Sequence, residues 1–433
     1  MDYSMRYDGS SAFAPGKRFG FFPSLSAAWR ISQENFFHSS FINDLKIRGS
    51  YGQTGNDNVS PFQYIQTYIL ESAQDPNNHY LSRGYVFGSN AQIVPGFSLG
   101  PTPNINITWE RANQADVGVD AQLFKNALSL SLDIWQALRT DILLPPTAIV
   151  PDYAGITLPD ENYGKVMSRG IDISFGYHKI TSSAITYSIN GNMTYAISKI
   201  RYIAESPNIP GYQKSTGYPM DSWFLYKTAG LYQNQAEVDN SPHPVGSGPG
   251  DIKYVDTNGD GKINDLDKVR MTESATPQIL FGLSGNINYK NFDFSIFFQG
   301  QARAKALLMP SGLNMAEEFF TGRWLKEGDH KYPRTFNGPT HRTFGSNTYA
   351  SDFWLRNDAF VRLKNLEIGY NFSKAIVHEL RMQSARVYIN ANNLFSIDKW
   401  GPSFDPESPS GNYTDGQYYP QQRIINVGIN VTF

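Results

Sequence analysis

The sequence repeats a pattern in which every second side chain is apolar, and the segments that carry it come in pairs joined by short turns. The clearest pair spans residues 279–289 and 292–298, with only Lys290 and Asn291 between the two segments. Successive side chains of a strand point to opposite faces of a sheet, so a period of two predicts strands with one apolar face. A two-residue connection predicts that the two strands form an antiparallel hairpin.

The same alternation recurs elsewhere in the chain. Two further strand pairs with this alternation are predicted at residues 117–134 and 171–195. A single segment, in which charged and apolar residues alternate, begins at Leu45. The last eleven residues also alternate and end on Phe433, with apolar positions at Ile425, Val427, Ile429 and Val431. A tilted strand needs about 9 to 11 residues to cross a bilayer, which is close to the length of each segment. We count about 12 to 14 strands and predict an all-β fold, a transmembrane antiparallel β-barrel.

Composition favours a membrane barrel over a soluble sheet. Aromatic residues make up 14% of the chain and charged residues 18%, whereas charged residues make up about a quarter of a soluble domain. No apolar run approaches the roughly 18 residues of a transmembrane helix, and a barrel needs none because its lumen-facing positions are polar. Aromatic residues at strand ends are expected at the membrane interfaces, as Trp135, Tyr177, Tyr195 and Tyr289. The alternative is aromatic packing in the core of a soluble sandwich.

Long stretches rich in Gly, Pro, Asn and Ser separate the hairpins. We expect irregular loops at about residues 204–220, 233–277, 301–353 and 396–422. An outer-membrane barrel has short turns at one end and long extracellular loops at the other, which is the arrangement that this spacing predicts. In a compact soluble domain, loops of this length would argue against the strand assignment.

Several functional classes find no support in the sequence. The formal net charge is −2 and no dense Lys/Arg cluster occurs, so no nucleic-acid partner is expected. Cysteine is absent and the 7 His residues are scattered, which leaves no thiol chemistry and no His-based metalloenzyme motif. Neither a GxSxG elbow nor a phosphate-binding glycine loop is present, so we do not expect an enzyme. A glycosidase would need two carboxylates at a defined separation, which a sequence does not reveal.

One motif points to a metal ion. The segment DTNGDGKINDLD, residues 256–267, matches a calcium loop of the EF-hand type, with Gly261 at the sixth position where such loops turn sharply. The expected oxygen ligands are Asp256, Asn258, Asp260, the carbonyl of Lys262, Asn264 through water, and Asp267. The twelfth position is Asp where an EF-hand prefers Glu, and neither flank has a helical pattern. We therefore predict one structural Ca²⁺ site; the alternative is a solvated turn that matches by chance.

Several segments resemble one family, the SusC/RagA group of TonB-linked outer-membrane transporters found in Bacteroidetes. The resemblance extends over most of the chain, in order, and includes the terminal Phe433. It is carried by RFGFFPSLSAAWRISQENF (18–36), LKIRGSYGQTGN (45–56), TWERANQADVGVDAQLF (108–124), GDIKYVDTNGDGKI (250–263), FVRLKNLEIGY (360–370) and NNLF (392–395).

The resemblance implies a 22-stranded barrel whose lumen is filled by a plug domain. It implies nutrient import driven by the TonB complex acting on that plug, and a SusD-like surface lipoprotein that closes over the extracellular loops to capture glycan oligosaccharides or peptides. It also implies insertion into the outer-membrane lipid of a Gram-negative bacterium. By the same resemblance, the C-terminal strand that ends at Phe433 is expected to be the signal that the barrel assembly machinery reads.

The sequence departs from the family pattern because we recognise no signal peptide, TonB box or plug in it. About 12 to 14 strands supply only part of such a wall, so we interpret residues 1–433 as the C-terminal part of the barrel, from a truncated gene product or a partial sequence. The alternative is a secreted or surface β-rich glycan-binding or adhesin module with a structural calcium loop, which predicts solubility without detergent. Five aromatic loop residues are compatible with stacking on sugar rings and equally with loop packing: Trp223, Trp354, Trp400, Tyr418 and Tyr419.

Overall fold

A single antiparallel sheet dominates the chain. The computed structural model describes residues 1–70, 84–89, 92–146, 158–180, 185–309, 317–334, 345–401, 404–407 and 420–433. Within these residues the sheet has 12 strands, and their order in the sheet is their order in the sequence. They are β1 Asp2–Gly9, β2 Phe19–Arg30, β3 Ile42–Asn56, β4 Glu110–Leu123, β5 Leu128–Leu144, β6 Glu161–Ile180, β7 Ile185–Tyr202, β8 Ile279–Tyr289, β9 Phe292–Ala302, β10 Phe360–Asn371, β11 Ser384–Ile397 and β12 Ile424–Thr432.

The connections between these strands differ between the two ends of the sheet. Neighbouring strands are antiparallel, so successive connections alternate between the ends. The longest connections, 57–109, 203–278, 303–359 and 398–423, all fall at one end, and the short connections 124–127, 181–184 and 290–291 fall at the other. This arrangement confirms the predicted hairpins and the predicted separation of short turns from long loops.

The sheet has one polar face and one apolar face, because side chains alternate along every strand. Cross-strand partners from β2 to β11 trace a polar row of Arg30, Lys46, Asp120, Ser131, Ser174, Asn192, Gly282, Gln299, Arg362 and Ser396. The neighbouring row on the opposite face is Trp29, Ile47, Val119, Leu132, Ile173, Met193, Phe281, Gly300, Val361 and Ile397. A band of exposed apolar side chains across a whole sheet is what a lipid-facing barrel wall presents.

Aromatic rings lie on the strand ends beside the short turns. Tyr177 and Tyr187 lie 5.8 Å apart between ring centroids, and Phe292 and Tyr370 lie 4.9 Å apart. Tyr289 is the last residue of β8 and lies at the same end of the sheet. The positions of Tyr177 and Tyr289 therefore agree with the predicted interface. Amphipathic rings at this level match the aromatic belt of a barrel.

We also expected two further residues at membrane interfaces, Trp135 and Tyr195. Trp135 lies on the polar face, where its indole Nε1 donates a hydrogen bond of 2.8 Å to Asp172, so the interface prediction was wrong for this residue. The alternation of β5 directs Ile134 to the apolar face and Trp135 to the polar one. Tyr195 lies on the apolar face, in the half of its strand towards the long loops, where Arg303 contacts its ring and hydroxyl.

The long connections contain regular structure of their own. Strand pairs form between Tyr68–Leu70 and Phe97–Leu99, Gly84–Phe87 and Gln92–Pro95, Ser222–Tyr226 and Lys268–Ser274, Thr228–Leu231 and Ile252–Tyr254, and Lys305–Leu307 and Leu355–Asn357. The helices are α1 Gln235–Asp239, α2 Glu317–Thr321 and α3 Lys374–Glu379, with 3-10 turns at Ile31–Gln33, Gly211–Gln213, Asp265–Asp267, Gly345–Thr348 and Asp352–Trp354. Within the described ranges, no helix has the length and apolarity to cross a membrane. The stretches that we predicted as irregular, 233–277 and 301–353, therefore include strands and helices.

The largest hydrophobic core lies in these connections and not in the sheet. We call it the loop body; its buried members are Trp223, Leu225, Tyr226, Leu231, Ile252, Tyr254, Met271, Ala306, Leu307, Leu308, Met309, Phe319, Tyr332, Trp354 and Trp400. They come from the connections 203–278, 303–359 and 398–423, which are thereby packed into one unit at one end of the sheet. In the described part of the chain, β1 pairs only with β2 and β12 only with β11, so the sheet has two open edges.

Candidate functional site

Charged side chains on the polar face form ion-pair networks between strands. Arg48 of β3 donates hydrogen bonds to Asp120 of β4 at 3.2 Å and to Asp133 of β5 at 2.6 Å, and it pairs with Asp116 at 3.3 Å. Lys46 adds a second cation, 2.8 Å from Asp120. The charges face the side of the sheet away from the apolar band, because an unpaired charge in lipid would be strongly unfavourable.

A second network lies on the same face near the other edge of the sheet. Arg386 of β11 pairs with Glu367 of β10 at 2.6 Å and also with Asp293 of β9. In both networks carboxylates outnumber cations, and hydroxyl and amide side chains surround them. Such a surface stays hydrated.

A recess of about 400 Å³ opens on the polar face over β5 to β9. Its polar lining includes Asp133, Asp172, Asn192, Thr194 and Gln299, and Phe297 adds an aromatic ring. Asn192 and Thr194 lie at the polar positions of a segment that the sequence predicts as alternating. The sequence did not show that the lining residues meet, because their neighbours are set by the register between strands.

The predicted calcium loop lies at the edge of the loop body. Oδ2 of Asp256 accepts a hydrogen bond of 2.9 Å from the amide of Gly261, and Oδ1 accepts one of 2.8 Å from Gly259. Both glycines have positive φ values, +80° for Gly261 and +74° for Gly259, which side chains rarely adopt. The first and sixth positions of the motif are therefore in contact, and the loop turns sharply at the predicted glycine.

The other predicted ligands fall into two groups. Asn258 and Asn264 each direct their Nδ2 to Oδ2 of Asp260, at 3.0 and 3.3 Å, so positions 3, 5 and 9 meet. Asp267 is fully buried, and its two oxygens accept hydrogen bonds of 2.8 Å from Thr257 and 2.9 Å from Asn264, which closes the loop. Among the residues that the structure describes, no three carboxylate or imidazole side chains lie close enough together to hold a metal ion.

The donor set of this loop suits a hard cation. Carboxylate, amide and carbonyl oxygens at alternating positions are the ligands that Ca²⁺ takes. The carboxamide groups of Asn258 and Asn264 already point at Asp260, and an amide turned by half a rotation presents its oxygen in place of its nitrogen. The carbonyl of Lys262 follows in the same turn.

The aromatic loop residues have packing roles. Trp223, Trp354 and Trp400 are all buried in the loop body, with 8%, 1% and 4% of their surface exposed, so they offer no open face to a sugar ring. Tyr418 and Tyr419 lie outside the described residues. By contrast, Phe433 is 80% exposed at the end of β12, in line with the exposed Ile425, Val427 and Ile429 on the apolar face.

Comparisons with known proteins agree with this architecture. Residues 2–394 match the family described as TonB dependent receptor-like, beta-barrel. The chain is 28% identical to TonB-dependent receptor P3 of Formosa agariphila, covering 100% of this chain and 44% of that protein. It is 26% identical to TonB-dependent receptor SusC of Bacteroides thetaiotaomicron, covering 100% of this chain and 42% of that protein. The chain thus spans less than half the length of the curated relatives that it matches.

The fold has a close counterpart among solved structures. A structure of the RagAB peptide transporter superposes with a TM-score of 0.74 at 22% identity, covering 100% of this chain and 45% of that one. Proteins of this family are β-barrels of the outer membrane, so the apolar face of the sheet faces lipid and the polar face lines the lumen. The chain therefore belongs to the TonB-dependent receptor β-barrel family, whose SusC and RagA members it resembles.

Proposed function

We propose that this chain supplies barrel wall and extracellular loops to an outer-membrane importer that works with the TonB complex and takes up glycan oligosaccharides or peptides. The observation that carries the proposal is the continuous polar row on the lumen face, backed by an apolar row on the lipid face. A SusD-like surface lipoprotein is the proposed partner, and the loop body is the surface on which it would close. The plug through which TonB acts would come from the part of the relatives that this chain does not span.

Uptake by the full-length protein tests this function. The protein is expressed in a strain that lacks its own copy, and accumulation of fluorescent oligosaccharides and peptides is measured with and without an energised inner membrane. Energy-dependent accumulation of one ligand class supports import. Co-purification of the protein with a surface lipoprotein supports the proposed partnership. Accumulation no higher than in the strain without the protein would refute the function. The alternative, a soluble binding module, is disfavoured by the exposed apolar band, because such a face requires detergent.

We also propose that residues 256–267 bind Ca²⁺, with Asp256, Asn258, Asp260, the Lys262 carbonyl, Asn264 and Asp267 as ligands. The motif spacing and the sharp turn at Gly261 support this site, which would order the edge of the loop body. Titration calorimetry of the full-length protein with Ca²⁺ alone tests it. Binding that is lost in Asp256→Ala and kept in Asp265→Asn, which alters a carboxylate outside the ligand positions, supports the site. Absence of heat at millimolar Ca²⁺ refutes it.

Phe433 is the proposed signal for barrel assembly. Its exposed ring continues the apolar face of β12, where the barrel assembly machinery would engage the terminal strand. Phe433→Ala should lower the amount of heat-modifiable barrel in the outer membrane. Unchanged amounts relative to the wild type would count against this role.

A further inference from the structure

The carboxylate of Glu407, in the connection 398–423, accepts hydrogen bonds from side chains of the barrel wall. Nζ of Lys364 lies 3.1 Å and 3.3 Å from its two oxygens, and Nε2 of Gln299 donates a hydrogen bond of 3.2 Å to it. The guanidinium of Arg362 donates a further, short hydrogen bond to the same carboxylate. Three donors from β9 and β10 therefore converge on one carboxylate.

These donors lie on the lumen side of the wall. Gln299 and Arg362 are cross-strand partners and belong to the polar row. Arg362 is only 4% exposed, and the side chain of Glu407 is 13% exposed. The segment 404–407 therefore lies against the inside of the wall, and the contact is shielded from solvent, where charge-assisted hydrogen bonds are strongest.

Asp405 has a different role from Glu407, although Arg362 contacts both. Its oxygens accept hydrogen bonds from Arg362 at 2.6 Å and from the backbone amides of Glu407 and Gln421 at 2.8 and 2.9 Å. Burial would raise the pKa of Asp405, but these hydrogen bonds outweigh it and the pKa lies below its usual value. The side chain of Asp405 thus anchors the backbone of the connection, whereas the described partners of the Glu407 carboxylate are side chains of the wall.

We propose that Arg362, Lys364 and Gln299 form a carboxylate-binding site on the lumen wall, in which Glu407 is an internal occupant that a carboxylate on the transported ligand displaces. A planar guanidinium, an ammonium and an amide are the donors that recognise a carboxylate. When Glu407 leaves, Asp405 still balances Arg362, and the charge of Lys364 becomes available to the ligand. The ligand class is a polar chain that bears carboxylates, either a uronic acid oligosaccharide or an acidic peptide. This inference rests on the proposed import function.

Binding by the full-length protein in detergent tests the inference. The probes are trigalacturonate, a tri-glutamate peptide and the neutral sugar maltotriose, each measured by calorimetry. Glu407→Gln removes the competing charge and should tighten the binding of at least one carboxylate probe about tenfold. Arg362→Met should abolish that binding, and Glu379→Gln, an exposed carboxylate on α3, should leave it unchanged. The two carboxylate probes distinguish a uronate from a peptide ligand.

Two results would overturn the inference. The first is that the wild type, Glu407→Gln and Arg362→Met bind both carboxylate probes with equal affinity. This result would not contradict the import function. The other is a failure of Glu407→Gln to bind either carboxylate probe while its heat-modifiable barrel is intact. Failure of the import function is a separate result, because it appears as an absence of energy-dependent uptake for every ligand class.

Discussion

Arg334 donates two hydrogen bonds, of 2.7 and 2.6 Å, to the carboxylate of Asp251, which joins two connections that are distant in the sequence. Asp251 is 3% exposed, and it also accepts a hydrogen bond of 2.8 Å from Asn347. The pair therefore fixes the connection 203–278 to the connection 303–359 inside the loop body. Both residues lie in connections, so these hydrogen bonds are made within the loop body and do not involve the wall strands.

Removing one partner of this pair is expected to loosen the loop body. Asp251→Ala removes both of these hydrogen bonds from a partly buried guanidinium, and breaking a buried ion pair in this way costs about 3 to 5 kcal/mol. Hydrogen exchange should accelerate in residues 222–274 and 345–357 while the wall strands keep their protection. Asp239→Ala, at the exposed end of α1, is the matched control. Equal exchange in Asp251→Ala and the wild type would contradict the role of the pair.

The pH response of the loop body should depend on Asp358. Burial raises the pKa of this carboxyl to about 7, the nearby Asp398 and Asp405 act in the same direction, and hydrogen bonds from Gln301 oppose them. The folded-state pKa exceeds the usual value of about 3.9, so the stabilising effect of the proton is full below pH 4 and is lost as the pH rises through 7. The loop body should therefore unfold more easily at pH 8 than at pH 5.

Asp358→Asn isolates this effect, because an amide stays neutral at every pH. The variant should flatten the pH dependence and raise the unfolding midpoint at pH 8 by several degrees, as measured by the fluorescence of the buried tryptophans. Asp398→Asn removes a neighbouring charge and should give a smaller change in the same direction. A wild-type midpoint that is constant from pH 5 to pH 8 would show that Asp358 does not titrate in this range.

The two faces of β7 should respond oppositely to a new charge. Ile189 lies on the lipid face and is 42% exposed, whereas the next residue, Asn190, lies on the lumen face. Ile189→Lys places an ammonium in lipid and should cost about 2 to 4 kcal/mol near the bilayer midplane. Asn190→Lys should fold like the wild type, as judged by heat modifiability on semi-native gels. Equal barrel yields for the two variants would contradict the assignment of the faces.

The turn of the calcium loop depends on the backbone at Gly261. Its φ of +80° disfavours any side chain, and a residue held there is strained by about 1 to 3 kcal/mol. Gly261→Ala should therefore weaken Ca²⁺ binding about tenfold or more in calorimetry. Gly211→Ala is the control, because that glycine has open space around it and no positive φ. Identical affinities for the two variants would argue that the sharp turn is not needed for binding.

The sequence predicted the wall better than the loops for a physical reason. The two faces of the wall contact lipid and water, so apolar and polar residues alternate along each strand. This alternation predicts that neighbours such as Ile189 and Asn190 lie on opposite faces, as they do in the structure. The contacts between strands were not predictable, since Arg48 and Asp133 are 85 residues apart and meet only through the register of three strands. The error at Trp135 has a related origin: its aromatic character suggested an interface, but its parity along β5 directs it into the lumen.

The loop structure escaped prediction because it depends on packing between connections. The strand Lys305–Leu307 is three residues long and has no pattern of its own. Leu307 is almost fully buried, and it packs in the surrounding core of the loop body. Short strands of this kind form only when the other connections are present, and local sequence carries little trace of them.

The separation of the loop body from the wall means that one chain is stabilised by two different driving forces. The loop body gains stability from the removal of its apolar side chains from water, which urea weakens. The wall has its apolar side chains in lipid and holds together through backbone hydrogen bonds between neighbouring strands, which the membrane shields from urea. Denaturation should then proceed in two stages, with the loop body melting first while the wall persists. Sequence change in the loop body is correspondingly free of the constraints that the bilayer sets, so its surface can diversify on an unchanged wall.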